Sequence, residues 1–143
     1  MKTYENALLG IKFQYPPEWK IGYEQANGIG FQLPTNQSSV PDLVYVVLED
    51  TKGSTDLKQY LRNRISKPSA PLNFSSLKLT ETNLSGLPAM NTTFIFNDGR
   101  NAQMVHTIKN ETAYSIMYIA EPNTYSNHLA DVNNIIKSFE IIP

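Results

Sequence analysis

The chain has no cysteine and only two histidines among its 143 residues. The first absence removes disulfides, thiolate zinc sites and cysteine nucleophiles, and it leaves the redox compartment open, since a chain without thiols tolerates either. Charge of one sign is missing as well. Twelve basic and thirteen acidic side chains leave a net charge of −1, and no basic stripe of the kind that marks non-specific nucleic-acid binding runs through the sequence. No apolar run approaches a bilayer span, and Met1 to Gly10 holds no hydrophobic signal core, so the chain reads as soluble. Internal repeats, low-complexity tracts and linkers are absent, and residues 1–143 read as one domain. A fold of this size buries roughly 68–70% of the surface its unfolded chain exposes and needs no covalent staple.

What is present is alternation. Ile11, Phe13 and Tyr15 alternate with Lys12 and Gln14, the period of a strand with one apolar face. Pro16 and Pro17 stop it, because neither can donate to a ladder, and Trp19 folds back onto the core, where its indole N–H needs one acceptor. Leu43 to Asp50 is apolar on both faces and reads as a central, doubly covered strand. After Gly53-Ser54-Thr55, the residues Leu57, Tyr60, Leu61 and Ile65 recur at helical spacing up to Lys67-Pro68, and Pro68 to Asn73 reads as a loop. A meander of four strands follows: one around Leu77 and Leu79, then Ala89 to Asn97, Gln103 to Lys109 and Tyr114 to Ala120. Its turns are Ser85-Gly86, Asn97-Asp98-Gly99 and Asn110-Glu111. Glu121-Pro122-Asn123-Thr124 closes the meander and caps a final helix with Tyr125, Leu129, Val132, Ile135 and Ile136 on one stripe. Phe139 and Ile141 continue into a short terminal strand or extension. The order has too few helices for a doubly wound parallel sheet. The expected fold class is α+β, an α/β/α sandwich whose mainly antiparallel central sheet is flanked by helices.

The two ends of the chain carry a family likeness. Phe13, Tyr15, Pro16 and Trp19 at the start, with Ile135, Ile136, Ser138, Phe139 and Ile141 at the finish, resemble the PsbP family, named for the extrinsic oxygen-evolving subunit of photosystem II. The likeness extends to Gly86-Leu87-Pro88-Ala89 before the meander and to Tyr114, Tyr118 and Ala120 ahead of the last helix, in the family's order over almost the whole length. It implies the Mog/PsbP-like sandwich, shared with a Ran-binding nuclear-import protein. It also implies a module that docks on other proteins, and usually an exported one. The basic N-terminal extension through which plant members dock is not in this sequence, so a photosynthetic role is not implied.

Candidate sites are sparse. His128 precedes Asp131 by one helical step, so the two could meet a divalent cation, though structural zinc takes four protein groups and catalytic zinc usually three. His106 shares a strand face with Met104 and Ile108, where a satisfied, partly buried role outweighs a catalytic one. Gly28-Ile29-Gly30 lacks the helix and Lys-Ser/Thr of a phosphate loop and reads as a flexible turn. Asp98-Gly99-Arg100-Asn101 offers a single acid, too few for calcium, and Glu49, Asp50 and Asp56 read as solvated loop charges. No nucleophile elbow or triad order is present.

The expected function is therefore a non-enzymatic docking module with no cofactor beyond a weakly held divalent cation. Its partner would be a protein or membrane-associated assembly, with no role for nucleic acid. Small-ligand or divalent-metal binding is the alternative, favoured by a pocket lined by Tyr114, Tyr118 and His106. Regulation of a small GTPase is a third. The sequence also carries five Asn-x-Ser/Thr sequons, at Asn36, Asn73, Asn83, Asn91 and Asn110, where its fourteen asparagines and 22 Ser or Thr would give about two by chance. Met1-Lys2-Thr3-Tyr4 leads almost directly into the first strand, as in a chain whose export segment or membrane anchor has been removed. The expected location is extracellular or at the cell surface.

Overall fold

The computed structural model describes residues 1–34, 42–53, 56–60 and 72–142, with residues 72–76 described in backbone only. Its strands run in the order β1 (Lys2–Asn6), β2 (Ile11–Tyr15), β3 (Lys20–Gln25), β4 (Gly28–Leu33), β5 (Asp42–Asp50), β6 (Leu72–Leu84), β7 (Leu87–Phe96), β8 (Asn101–Lys109), β9 (Thr112–Ala120) and β10 (Glu140–Ile141). A 3₁₀ turn, Tyr125–His128, leads into the C-terminal helix, Leu129–Ser138. Residues 57–60 are helical, and the rest of the helix expected from Leu61 to Ile65 lies outside the described residues.

Two sheets form, and every described strand pair is antiparallel. Seven strands pair in the order β3-β4-β5-β9-β8-β7-β6, and the chain ends build a separate three-stranded sheet, β1-β2-β10. The fold is α+β, as expected, with the predicted four-strand meander in place as β6 to β9. Asn110 and Glu111 both adopt positive φ, 52° and 64°, which is the backbone a two-residue hairpin turn requires.

Three expectations need correction. Gly28-Ile29-Gly30 is the start of β4, paired on both sides, and not a turn. The glycines are there for closeness: a Cβ on Gly28 would run into the Val46 carbonyl oxygen, and one on Gly30 would sit 2.8 Å from the Tyr45 ring. Leu72 and Asn73, read as loop, already pair with Phe96 and Ile95. Trp19 is buried as expected, beside Phe31, but its indole N–H has no acceptor among the described residues.

The main core lies between the two sheets and under the C-terminal helix. Ile11, Phe13 and Tyr15 of β2 and Val132, Ile135 and Phe139 face Ile29 and Phe31 of β4, Val44 and Val46 of β5, and Ile116 and Tyr118 of β9. A smaller cluster of Phe94, Ala102, Met104 and Ile119 occupies the outer face of the large sheet, with Tyr45 and Met117 packed against it. Because β4 and β5 approach over Gly28, Gly28→Ala should force the strands apart. The expected loss is about 2 kcal/mol, mid-range for overpacking, read by denaturant titration; unchanged stability would show that this approach is not tight.

Candidate functional site

Opposite residues of an antiparallel pair share a face, so the register gives the composition of each row of the large sheet. One inner-face row runs Lys78, Thr93, Gln103, Tyr118, Val44, Phe31 from β6 across to β4. The next runs Thr80, Asn91, Val105, Ile116, Val46, Ile29. Both rows are polar on β6 and β7 and apolar from β9 onward. The small sheet and C-terminal helix cover the apolar half, which is where burial is favourable, and no element among the described residues covers the polar half.

That open half forms a groove of about 440 Å³, lined by Lys78, Thr93, Ile95, Asn101 and Tyr125, among others. Asn91 and its neighbours form a polar ladder beside it: the Asn91 amide donates to Thr80 Oγ1 at 3.4 Å, and Gln103 donates to Asn91 Oδ1 at 3.1 Å. The side chains of Lys78, Thr93 and Asn101 make no hydrogen bond or ion pair among the described residues, and Ile95 is 39% exposed. The groove thus presents an ammonium, an amide and a hydroxyl beside a solvent-facing aliphatic side chain. A second cleft, about 510 Å³, lies between the turn at 57–60 and strands β6 and β7, where an exposed Lys58–Glu81 pair at 3.9 Å adds little.

A buried polar cluster anchors one wall of the groove. Asp42, the first residue of β5, is 1% exposed. Its Oδ1 accepts the Thr124 hydroxyl at 3.0 Å, and its Oδ2 faces His128 Nε2 at 3.5 Å, too long for a good hydrogen bond. Thr124 was expected to cap the helix, but its hydroxyl is spent on Asp42 and makes no cap bond. The Tyr118 hydroxyl donates to the Tyr125 carbonyl at 2.7 Å, and the two rings stack with centroids 4.9 Å apart. Tyr125 is thereby fixed at the groove.

The candidate metal ligands His128 and Asp131 fall at the start of the C-terminal helix. His128 meets Asp42; Asp131, half-buried in the first helical turn, has no described contact with it. No group of three or more His, Cys, Asp or Glu converges among the described residues. His106 is buried, with Nδ1 2.8 Å from Ser115 Oγ across the β8–β9 pair. That contact lies on the outer face, whereas Tyr114 and Tyr118 point to the inner core, so the three do not line one pocket. Sequence reasoning missed Asp42 and the polar row. Asp42 carried a detectable signal, an acid directly before the apolar run Leu43 to Leu48.

Burial is the first cause that raises the Tyr118 phenol above its usual range, followed by the nearby Asp42 carboxylate and Tyr125. Burial also raises Tyr114 and Tyr125. A group whose pKa is higher in the folded state favours folding fully below its unfolded value and loses that contribution above it. Stability should therefore hold up to about pH 10 and fall at higher pH. A 295 nm titration should show these tyrosines ionising only as near-ultraviolet dichroism is lost, with a shallower fall in Tyr118→Phe. Ionisation of every tyrosine without loss of structure would contradict this.

No helix among the described residues is long and apolar enough to cross a membrane. A comparison with curated proteins finds no significant match. Among solved structures, cyanobacterial PsbP from Synechocystis sp. PCC 6803 superposes with a TM-score of 0.68 at 12% identity, over 98% of this chain and 91% of that one. LpqN of Mycobacterium tuberculosis, described as involved in cell envelope biogenesis, gives 0.64 at 15% identity, over 93% and 83%. A Bacteroides thetaiotaomicron protein gives 0.63 at 11% identity, over 94% of this chain and 46% of that one. These identities show a shared fold. The model of the PsbP-like protein family matches residues 1–141, and with the two-sheet architecture already in view, the chain belongs to the PsbP-like family.

Proposed function

We propose that this chain is a non-enzymatic PsbP-like docking module, held outside the cell or at the cell surface, which seats a protein of a membrane-associated assembly on the open half of its inner sheet face. The observation that carries this reading is the polar row Lys78, Thr93, Gln103, which the described residues leave uncovered beside Ile95, whereas the β9–β5–β4 half of the same face is packed. A non-obligate protein interface is about as apolar as the rest of a protein's surface, so this mix of aliphatic, amide and hydroxyl groups with one ammonium is compatible with one. The envelope role stated for LpqN supports the location, as does the export that the family resemblance implies.

The test is site-specific photo-crosslinking in the native host, with the reactive side chain at Thr93 or Lys78 and, as control, at Lys137 on the C-terminal helix. A discrete protein adduct is expected from the groove positions alone, on a pool of the protein that added protease can reach in intact cells. Equal adducts from all three positions, or none, would overturn the docking reading. The groove's volume lies within the roughly 300–1,000 Å³ typical of small-molecule sites, so a small ligand or divalent cation is the second reading. A thermal shift with such a compound, abolished by Asn101→Ala, would favour it.

A further inference from the structure

The sequons are more numerous than composition explains, and the fold sorts them. Of those with described side chains, Asn83, on the rim of the second cleft, and Asn110 are exposed, and their side chains make no hydrogen bond among the described residues. Asn91 is half-buried in mid-sheet with both ends of its amide engaged, by Thr80 and Gln103. Asn110 also has a backbone reason to be asparagine, its positive φ in the β8–β9 turn. Asn83 has none: it stands on edge strand β6, and asparagine is depleted in strands.

The two exposed sequons lie at one end of the molecule. β7 and β8 are antiparallel, so the β6–β7 and β8–β9 turns share an end, while the Asn97-Asp98-Gly99 turn, Ile95 and Asn101 belong to the other. Bulk on Asn83 and Asn110 would therefore stand away from the groove. Bulk on Asn91 would break the polar ladder and cover the groove.

We infer that Asn83 and Asn110 are N-glycosylation sites and that Asn91 is not. This rests on the exported location proposed above, because the donor is a polyprenyl-diphosphate-linked oligosaccharide used by a membrane-bound oligosaccharyltransferase on exported chains. In the transfer, the asparagine Nδ2 bonds to the sugar C1, the C1–O bond to the lipid diphosphate breaks, the diphosphate departs and the amide gives up one proton. No electron changes hands. The modification would place bulky, solubilising sugar on one end of the domain and leave the other free for docking.

Two measurements decide it. In the first, the full-length protein from its native host is tested for protease accessibility on intact cells and mapped by glycopeptide mass spectrometry. Occupied Asn83 and Asn110 with bare Asn91 is the expected result. A surface-exposed protein bare at both sites overturns the glycan inference and leaves the docking reading intact, whereas a protein confined inside the cell overturns both. In the second, the chain is secreted behind a signal peptide from a glycosylating host. Both sites should be occupied in glycopeptide maps, with the glycan lost at Asn83 in Asn83→Gln, at Asn110 in Thr112→Ala, which retains Asn110, and at both in the double variant. A secreted, folded protein that is bare, or that carries its glycan on Asn91, overturns the inference.

Discussion

Replacing Phe13 with alanine should lower stability by about 3–5 kcal/mol, the range for deleting a fully buried aromatic side chain. Phe13 is 1% exposed and is where three parts of the fold meet. From β2 of the small sheet, its ring lies 6.0 Å edge-on from Phe31 of the large sheet and 6.2 Å in a stack with Phe139 beyond the C-terminal helix, with Tyr4 at 5.2 Å and Tyr15 at 6.4 Å. No neighbour can collapse into the space without leaving another contact, so the cavity persists and adds to the lost transfer energy. Trp19, next to Phe31, reports the transition by fluorescence in denaturant. Leu8→Ala is the matched control, since Leu8 is 99% exposed and should change almost nothing. Because Phe13 and Phe139 touch, their double variant should be non-additive by about 0.5–3 kcal/mol. A Phe13→Ala loss below about 1 kcal/mol with an unchanged denaturant slope would mean that these rings do not hold the two sheets together.

The strands with a strict apolar period were legible from the residues. Ile11, Phe13 and Tyr15 are buried and Lys12 and Gln14 exposed, in the alternation expected of β2. The meander and its turns could be placed because Asn-Asp-Gly and Asn-Glu stand between alternating runs. The strands that escaped notice are those in which burial does not write a pattern. β1 and β3 lie at sheet edges with nearly every side chain exposed or half-exposed, so polar residues sit on both faces and no period appears. β4 was hidden by the glycines that let it approach β5, since glycine ordinarily marks a turn.

The site was less legible than the fold, for a geometric reason. Lys78, Thr93 and Gln103 lie on three strands and become a row only through pairing register, which a single sequence does not reveal. Thr124 reaches Asp42 across 82 positions. His128 could be recognised as a polar side chain on the last helix, and Asp131 one step away was the natural local partner. The partner in the fold comes from the first residue of β5, a contact that local spacing has no means to encode.

That long-range contact should make His128→Ala cost about 1 kcal/mol, the lower end of the roughly 1–3 kcal/mol for leaving a buried polar group without its neighbour. The lower end applies because the His128 side chain is 13% exposed and water can enter the vacated space, whereas Asp42 has no such access at 1%. Most of the loss would come from the carboxylate left behind, so neutralising it should help. Asp42→Asn keeps the oxygen that accepts from Thr124 and removes the charge. The double variant Asp42→Asn/His128→Ala should therefore be more stable than His128→Ala alone, by denaturant titration at neutral pH. If it is less stable, the carboxylate does not depend on His128 and the pair is incidental. The same cluster sets the 3₁₀ turn at Tyr125, whose ring stacks on Tyr118 and lines the groove. His128→Ala should then weaken crosslinking from Thr93 even under conditions where the variant is fully folded, whereas Phe13→Ala, acting on the far core, should not. A positional effect on the groove that tracks this one pair would tie the buried charge to docking, beyond its contribution to stability.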